Sequence, residues 1–289
     1  MSQSKDKAGE TKVSGAQRQQ QQKPKPQSQP QQKSQSQPQT QARSQLQLKP
    51  QPLPLFYKRV VPLSREQNGE LYIETVAGYA FAAGTNSIYV SAVEFPMAIG
   101  DYPIVFTPYG DGIFPVLLLG LKNNQNLFVN DKGEWDAGYI PAYARRYPFI
   151  LATPQPGSDR FTVCIDEAYP GFNTAKEGQP LFDEKGEHTP MLTQAVNFLK
   201  EYQGHVQMTM EFCKTLVDLQ LLEPMQANVK LLTGEDLSIG GFQCIKREKL
   251  QQLSPGKIAD LVKTGQMELI YAHLLSLNNI TKLINKLKN

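Results

Sequence analysis

Apolar residues keep one rhythm up to Asp166 and another from Leu192 onward, and no single kind of regular element satisfies both. Between Leu71 and Asp166 they come as short runs rich in Val, Ile, Tyr and Phe, separated by Gly, Pro, Asn and Asp, the pattern of antiparallel strands. The runs predict strands at 71–79, 87–93, 104–107, 113–121, 126–129, 149–152 and 160–165. Turn residues at 108–112 and 130–133 bring glycines where positive φ is needed, and Pro96 starts a single helical turn near 94–100. Residues 169–190 are polar and broken by Gly and Pro, a linking loop. Beyond it Leu192, Val196, Leu199, Val206, Met210, Cys213, Val217 and Leu221 recur at steps of three, four and seven. That spacing predicts one apolar stripe on a helix that Pro224 ends. A hairpin pairing 229–232 with 237–245 follows. Then come helices from Ser254-Pro255 to Gly265, at 267–277 and at 280–287. The predicted class is α+β, an antiparallel β-rich half followed by a mainly helical half.

The first 52 residues fit neither rhythm. Gln makes up 16 of the 36 residues from Gln17 to Pro52, the rest being mostly Pro, Ser and Lys. Such a segment buries too little apolar surface to offset an ordering entropy of about 1–2 kcal/mol per residue. The expected organisation is a disordered basic tail at 1–52, a β-rich half at 53–168, and a linker with a helical half of the same domain at 169–289. Charge divides the same way. Residues 1–58 hold ten Lys or Arg against two acids, +8, leaving −5 for the rest of a chain whose net charge is +3. A basic tail of this dilution is mainly solubilising. It lacks the interleaved aromatics of a single-strand platform, so nucleic acid is a weak expectation.

No apolar run near the start has the form of a secretory leader, and the longest apolar stretch, 113–121, is about half the length that spans a bilayer. Three cysteines without CxxC spacing (Cys164, Cys213, Cys244) read as buried thiols of a reducing compartment. The default expectation is a soluble cytoplasmic protein, with association with the envelope left open.

The most distinctive local chemistry lies at Trp135-Asp-Ala-Gly-Tyr-Ile-Pro-Ala-Tyr-Ala-Arg-Arg-Tyr-Pro-Phe149. It contains the single Trp of the chain, Tyr139, Tyr143 and Tyr147 at steps of four, the Arg145–Arg146 pair, and prolines on both sides of a helical piece of one or two turns. On a helix the tyrosines would share a face. Trp135, Tyr139, Tyr143, Arg145, Arg146 and Tyr147 are therefore the candidate ligand-binding residues, an aromatic platform with an Arg fork for a sugar, a carboxylate or a phosphate. The competing reading is structural, with tyrosines fixing the elbow to the sheet and an Arg paired with Asp131, Asp136, Asp166 or Glu167.

Catalytic groups are sparse. His188, His205 and His273 occur in no HxH, HxD or HExxH spacing, so no metal and no cofactor is expected. His273 has the setting of a core histidine bound to backbone, and Cys164 that of a buried strand thiol. Asp166-Glu167 is a carboxylate pair, but neighbours on a strand point to opposite faces. Gly110-Asp-Gly112 and Gly240-Gly241 match no phosphate cradle and read as turn and bulge glycines. No catalytic residue is assigned.

Tyr102-Pro-Ile-Val-Phe106, Leu119-Gly-Leu121 with Asn126-Leu-Phe-Val129, and Gly133-Glu-Trp135 carry a family resemblance. Tyr139-Ile-Pro-Ala-Tyr143 with Arg146-Tyr-Pro-Phe149, Cys164-Ile-Asp166, Gln179-Pro-Leu-Phe-Asp183 and 269–277 belong to it as well. Together, from about Leu53 to the C-terminus, they resemble the bacterial SapC family, whose name comes from a locus for paracrystalline surface-layer protein. The resemblance implies a non-catalytic accessory of surface-layer or cell-envelope biogenesis whose partner is a protein or an envelope component. It carries no active-site residue over. The alternative is an enzyme, or a substrate-binding protein, that takes a small ligand or peptide at the elbow.

Overall fold

Most of the apolar runs before Asp166 pair as antiparallel strands, and the long helical stripe crosses beneath them. The computed structural model describes residues 53–76, 78–153, 160–230 and 236–287. The Gln/Pro-rich arm at 1–52 and the hairpin tip at 231–235 lie outside the described residues. In chain order the strands are β1 (Val60–Pro62), β2 (Tyr72–Ile73), β3 (Ser87–Tyr89), β4 (Ile104–Tyr109), β5 (Gly112–Leu118) and β6 (Phe149–Ala152). They continue as β7 (Thr162–Asp166), β8 (Phe172–Asn173), β9 (Gln179–Pro180), β10 (Leu222–Lys230) and β11 (Asp236–Ile245). The helices are α1 (Arg65–Asn68), α2 (Phe95–Ala98), α3 (Ala142–Arg145), α4 (Pro190–Asp218), α5 (Arg247–Gln251), α6 (Pro255–Lys263), α7 (Gln266–Ser276) and α8 (Asn279–Lys286).

Three antiparallel sheets result, in the orders β10-β11-β4-β5-β3, β1-β7-β6 and β8-β2-β9. The β4–β5 hairpin closes through Gly110 at φ 56. The β10–β11 hairpin lies late in the chain but joins the largest sheet, through the Gln243–Phe106 pair. Its ladder slips between Met225 and Ala227, opposite Gly240-Gly241 with Gly241 at φ 85, so these glycines form the expected bulge.

Three predicted strands are cut short for local reasons, and the run at 87–93 pairs only to Tyr89 because the Ser91–Glu94 capping box starts a helical turn. The run at 71–79 pairs only at Tyr72–Ile73, because Gly78 (φ 95) turns the chain. A Cβ at Gly78 would stand 2.6 Å from the Gly133 carbonyl oxygen, so two turns touch there. The run at 126–129 reduces to a bridge between Val129 and Trp135. Asn126 Oδ1 accepts the Phe128 N–H at 2.9 Å, a side-chain turn that competes with the ladder.

α4 begins as its sequence dictates, with Pro190 in its first turn and the Thr189 side chain accepting the Leu192 N–H. It ends at Asp218, ahead of Pro224, with Gln220 at φ 53. Its predicted stripe holds through the first half and at Cys213 and Leu221, and fails at Met210 and Val217. Leu192, Val196 and Leu199 are buried, but Met210 and Val217 are 44% and 49% exposed, and the inward positions are Tyr202, Thr209, Phe212, Cys213 and Leu216. Thr209 is polar yet inward because its hydroxyl accepts the Ala92 N–H at 2.8 Å and donates to the His205 carbonyl. The helix thus serves two cores. Leu192, Val196 and Leu199 pack with Phe149, Ile165, Leu181 and Phe182, whereas Tyr202, Phe212 and Leu216 join the larger cluster around Phe95, Tyr102, Ile104 and Phe106.

Candidate functional site

The elbow does not form the single tyrosine face that its spacing predicts. Pro141 stays extended (φ −58, ψ 141), which delays the helix to the one turn of α3. Tyr139 precedes that turn and Tyr147 follows it, and the Tyr147–Pro148 peptide is cis. The three rings therefore go to three different places.

Tyr139 turns inward to Glu94, a buried carboxylate. Glu94 Oε1 accepts the Tyr139 hydroxyl and the Ala142 N–H, both at 2.7 Å, and Oε2 accepts the Ser91 N–H and hydroxyl, both at 2.8 Å. Four charge-assisted hydrogen bonds satisfy it. Burial, reinforced by the Glu94 charge, pushes the Tyr139 phenol well above its ordinary pKa. Trp135 donates its indole N–H to the Tyr102 hydroxyl at 2.7 Å, and that hydroxyl donates to the Tyr139 carbonyl. Trp135 and Tyr139 are thereby held as parts of the core wall.

Tyr143 is 5% exposed and packs edge-on against Phe56. The Arg146 guanidinium lies 3.8 Å from the Tyr143 ring centroid, 5.1 Å from that of Tyr202 and 5.9 Å from that of Tyr57. Its Nε is buried without a hydrogen-bond partner among the described residues. Arg146 is thus caged by aromatic faces, and the carboxylates offered to it by the structural reading are engaged elsewhere. Asp136 pairs with Lys286 at 2.7 Å, and Glu167 with Arg59 at 3.0 Å.

Asp166 closes the far end of the elbow. It is fully buried, and it accepts N–H groups of Lys58, Arg59 and Ala168 and the Tyr147 hydroxyl. Burial pushes its pKa up, but those donors outweigh burial and hold it below the usual carboxylate range. The Asp166-Glu167 pair is thus divided between core and surface, as strand alternation dictates.

Tyr147 and Arg145 reach a different environment, a cleft of about 640 Å³ between the elbow, the start of the described chain and the turns at 75–81 and 168–170. Phe81 and Tyr147 lie 4.3 Å apart at 33°, and Tyr79 and Tyr169 stand beside them at 55° to Phe81 and 82° to Tyr147. Lys58 and Arg145 supply the charge, and no Asp, Glu, His or Cys lines the cleft among the described residues. Arg145 Nε donates to the Ile140 carbonyl at 3.0 Å, and its guanidinium lies 5.0 Å from the Phe198 ring centroid. Of the six predicted site residues only Arg145 and Tyr147 line this cleft. The other lining side chains were not identified from sequence, since Phe56, Lys58, Tyr79, Phe81 and Tyr169 are scattered over more than a hundred residues with no shared spacing.

The remaining titratable groups are structural. His273 Nδ1 lies 2.9 Å from the Ile104 carbonyl oxygen and Nε2 accepts the Ile245 N–H at 3.0 Å; burial lowers its pKa to about 4. All three cysteines are free and buried, and burial raises the Cys213 and Cys244 thiols to about 12. Among the described residues no cluster of three or more His, Cys, Asp or Glu is placed to hold a metal ion. No helix among them is long and apolar enough to cross a membrane.

A family model described as SapC matches residues 63–283. No curated protein and no solved structure matches the chain.

Proposed function

The chain belongs to the SapC family, and from that premise we propose that it is a non-catalytic accessory of surface-layer and cell-envelope biogenesis that acts by holding a ligand in the cleft beside the elbow. The observation that carries the binding part is the lining of the cleft. It offers five half-buried aromatic rings and two cations, with no carboxylate, histidine or thiol beside them among the described residues. Such walls recognise and retain a ligand, and the groups most used for acid–base chemistry, His, Asp and Glu, are absent from the described lining. The two buried carboxylates nearby, Glu94 and Asp166, have their oxygens engaged by four donors each. The family premise supplies the envelope setting and makes a protein or an envelope component the partner class.

The test is genetic. A strain lacking the protein is expected to shed or misassemble its surface layer, and the same defect is expected from the double variant Lys58→Gln, Arg145→Gln at normal protein abundance. An intact surface layer and unchanged envelope composition in the deletion strain would overturn the proposal.

A further inference from the structure

We propose that the cleft is a subsite for an acidic carbohydrate, with a pyranose stacked on the Phe81–Tyr147 floor and its carboxylate met by Lys58 and Arg145. The inference rests on reading the cleft as a binding site and goes on to name the chemistry of its ligand.

The shape comes first. Phe81 and Tyr147 are the most nearly stacked ring pair along this wall, 4.3 Å apart at 33°, and Tyr79 and Tyr169 rise steeply at either side. All four rings are half-buried, so the trough leaves ring area open that core packing would otherwise cover. The volume of about 640 Å³ falls within the roughly 300–1,000 Å³ of small-ligand sites. Phe56, at the rim, holds φ at 79, a conformation a bulky residue adopts only when its surroundings impose it. Its ring is fixed edge-on against Phe81, 5.1 Å away.

Charge comes second. The chain beyond residue 58 carries −5, yet the cleft sets Arg145 of that stretch beside Lys58 with no acid among the described lining residues. Lys58 is anchored at its backbone and Arg145 at one edge of its guanidinium, and both keep donors to spare. The Lys58 backbone N–H is pinned to Asp166 at 2.9 Å, and its ammonium makes no hydrogen bond or ion pair with the described residues. Arg145 is steadied through Nε by the Ile140 carbonyl and through Nη2 by a 3.4 Å contact with the Tyr139 hydroxyl, leaving its remaining N–H groups to a ligand. Asp166 has its hydrogen-bonding capacity filled by backbone and phenol donors and Glu167 is bound to Arg59, so neither forms an ion pair with Lys58 or Arg145 among the described residues.

These features select among anions. Aromatic faces are electron-rich and take the C–H face of a sugar ring; a nucleobase stacks on them as well, so AMP is the competing ligand that the titration must separate from a sugar. Thr75, also in the lining, adds a hydroxyl for sugar hydroxyls. An extended peptide would need a strand edge, and β2, the strand that leads into this wall, is already paired on both sides.

The experiment is calorimetric titration of the full chain with trigalacturonic acid, with galactotriose as the neutral counterpart, and with AMP and a glutamate-rich peptide as competing anions. The acidic trisaccharide is expected to bind at least tenfold tighter than the neutral one, and to weaken as salt is raised. Arg145→Gln and Lys58→Gln are each expected to lower affinity about tenfold with unchanged melting. Phe81→Leu, which keeps an apolar side chain and removes the stacking face, should weaken both trisaccharides together. Equal binding of acidic and neutral sugars, tighter binding of AMP or the peptide, or no sugar binding at millimolar concentration by the folded chain would each overturn the proposal. If sugars fail while the Lys58/Arg145 double variant still loses the surface layer, the ligand class falls and the binding role stands.

Discussion

Arg145 and Arg146 are neighbours on one helical turn and live in opposite worlds. Arg146 points into a cage of Tyr57, Tyr143 and Tyr202, with its Nε lacking a partner among the described residues. Arg145 is exposed at the cleft and leans on Phe198. The difference extends along the whole elbow. Its inner face is wired to Glu94 through Tyr139 and Ala142, which fixes the Tyr139 hydroxyl and the Ala142 N–H in place. Its outer face ends in groups with spare bonding capacity. A motif that reads as one platform is thus a structural brace on one side and a candidate binding wall on the other, and stability measurements separate the two.

The largest effect is expected at Glu94. Glu94→Ala would strand the Ala142 N–H, the Tyr139 hydroxyl and the Ser91 N–H in a dry site, and each buried orphan costs about 1–3 kcal/mol. A loss of about 4 kcal/mol in urea unfolding is expected, with Glu94→Gln milder. A loss under 1 kcal/mol would mean that water satisfies these donors and that the inner face is not sealed.

Arg146→Ala comes next. Desolvated cation–π contacts are worth about 2 kcal/mol, and the lost stem adds packing, so a loss of about 2–3 kcal/mol is expected. Arg146→Lys should recover only part of it, because an ammonium does not lie flat between rings as a guanidinium does. If Arg146→Ala melts like the wild type and abolishes ligand binding, Arg146 belongs to the outer face and the division proposed between the two arginines fails.

How far such contrasts were readable beforehand depended on whether their signal was local. The turn at Gly110, the bulge at Gly240-Gly241 and the backbone-bound His273 each follow from a residue's own chemistry. The Glu94 centre left a local trace as well. Ser91 and Glu94 form a capping box, a spacing visible in the sequence but subordinate to the helical turn that Pro96 drew attention to. Met210 and Val217 were misplaced on the α4 stripe because they are apolar and Thr209 is not, although the tertiary partner at Ala92 gives Thr209 the inward place. The cleft left no trace of that kind. Lys58, Phe81, Tyr147 and Tyr169 meet only once β1, β6 and β7 have paired.

Asp166 offers a smaller effect with a pH signature. Its folded pKa lies below the ordinary carboxylate value, so its contribution is present above about pH 4 and is lost as pH falls through the folded value. Asp166→Asn is expected to cost about 2 kcal/mol at neutral pH, since bonds to a charged acceptor are stronger than neutral ones. The gap between variant and wild type should narrow on acidification towards pH 3. His273, neutral when folded, also destabilises the chain in acid, but it does so in both proteins and cancels in the difference. A gap that is constant with pH would show that Asp166 does not anchor the elbow as a carboxylate.

The smallest stability effect and the clearest functional one belong together at Arg145. Its side chain is exposed, and its hydrogen bonds go to the Ile140 carbonyl and, at 3.4 Å, to a Tyr139 hydroxyl already donating to Glu94. Removing it leaves no buried donor unsatisfied, because the Ile140 carbonyl is reachable by water once the side chain is gone. Surface changes of this kind stay within about 0.5 kcal/mol, and contact with Phe198 adds at most a few tenths more at an exposed site. Arg145→Ala should therefore melt with the wild type while losing a charge from a cleft that has only Lys58 to replace it. The two arginines then give opposite readings on two instruments. Arg146→Ala moves the melting curve, and Arg145→Ala moves only ligand binding and its salt dependence. If Arg145→Ala destabilises the chain as much as Arg146→Ala, both arginines are braces, and the outer face of the elbow is structure rather than site.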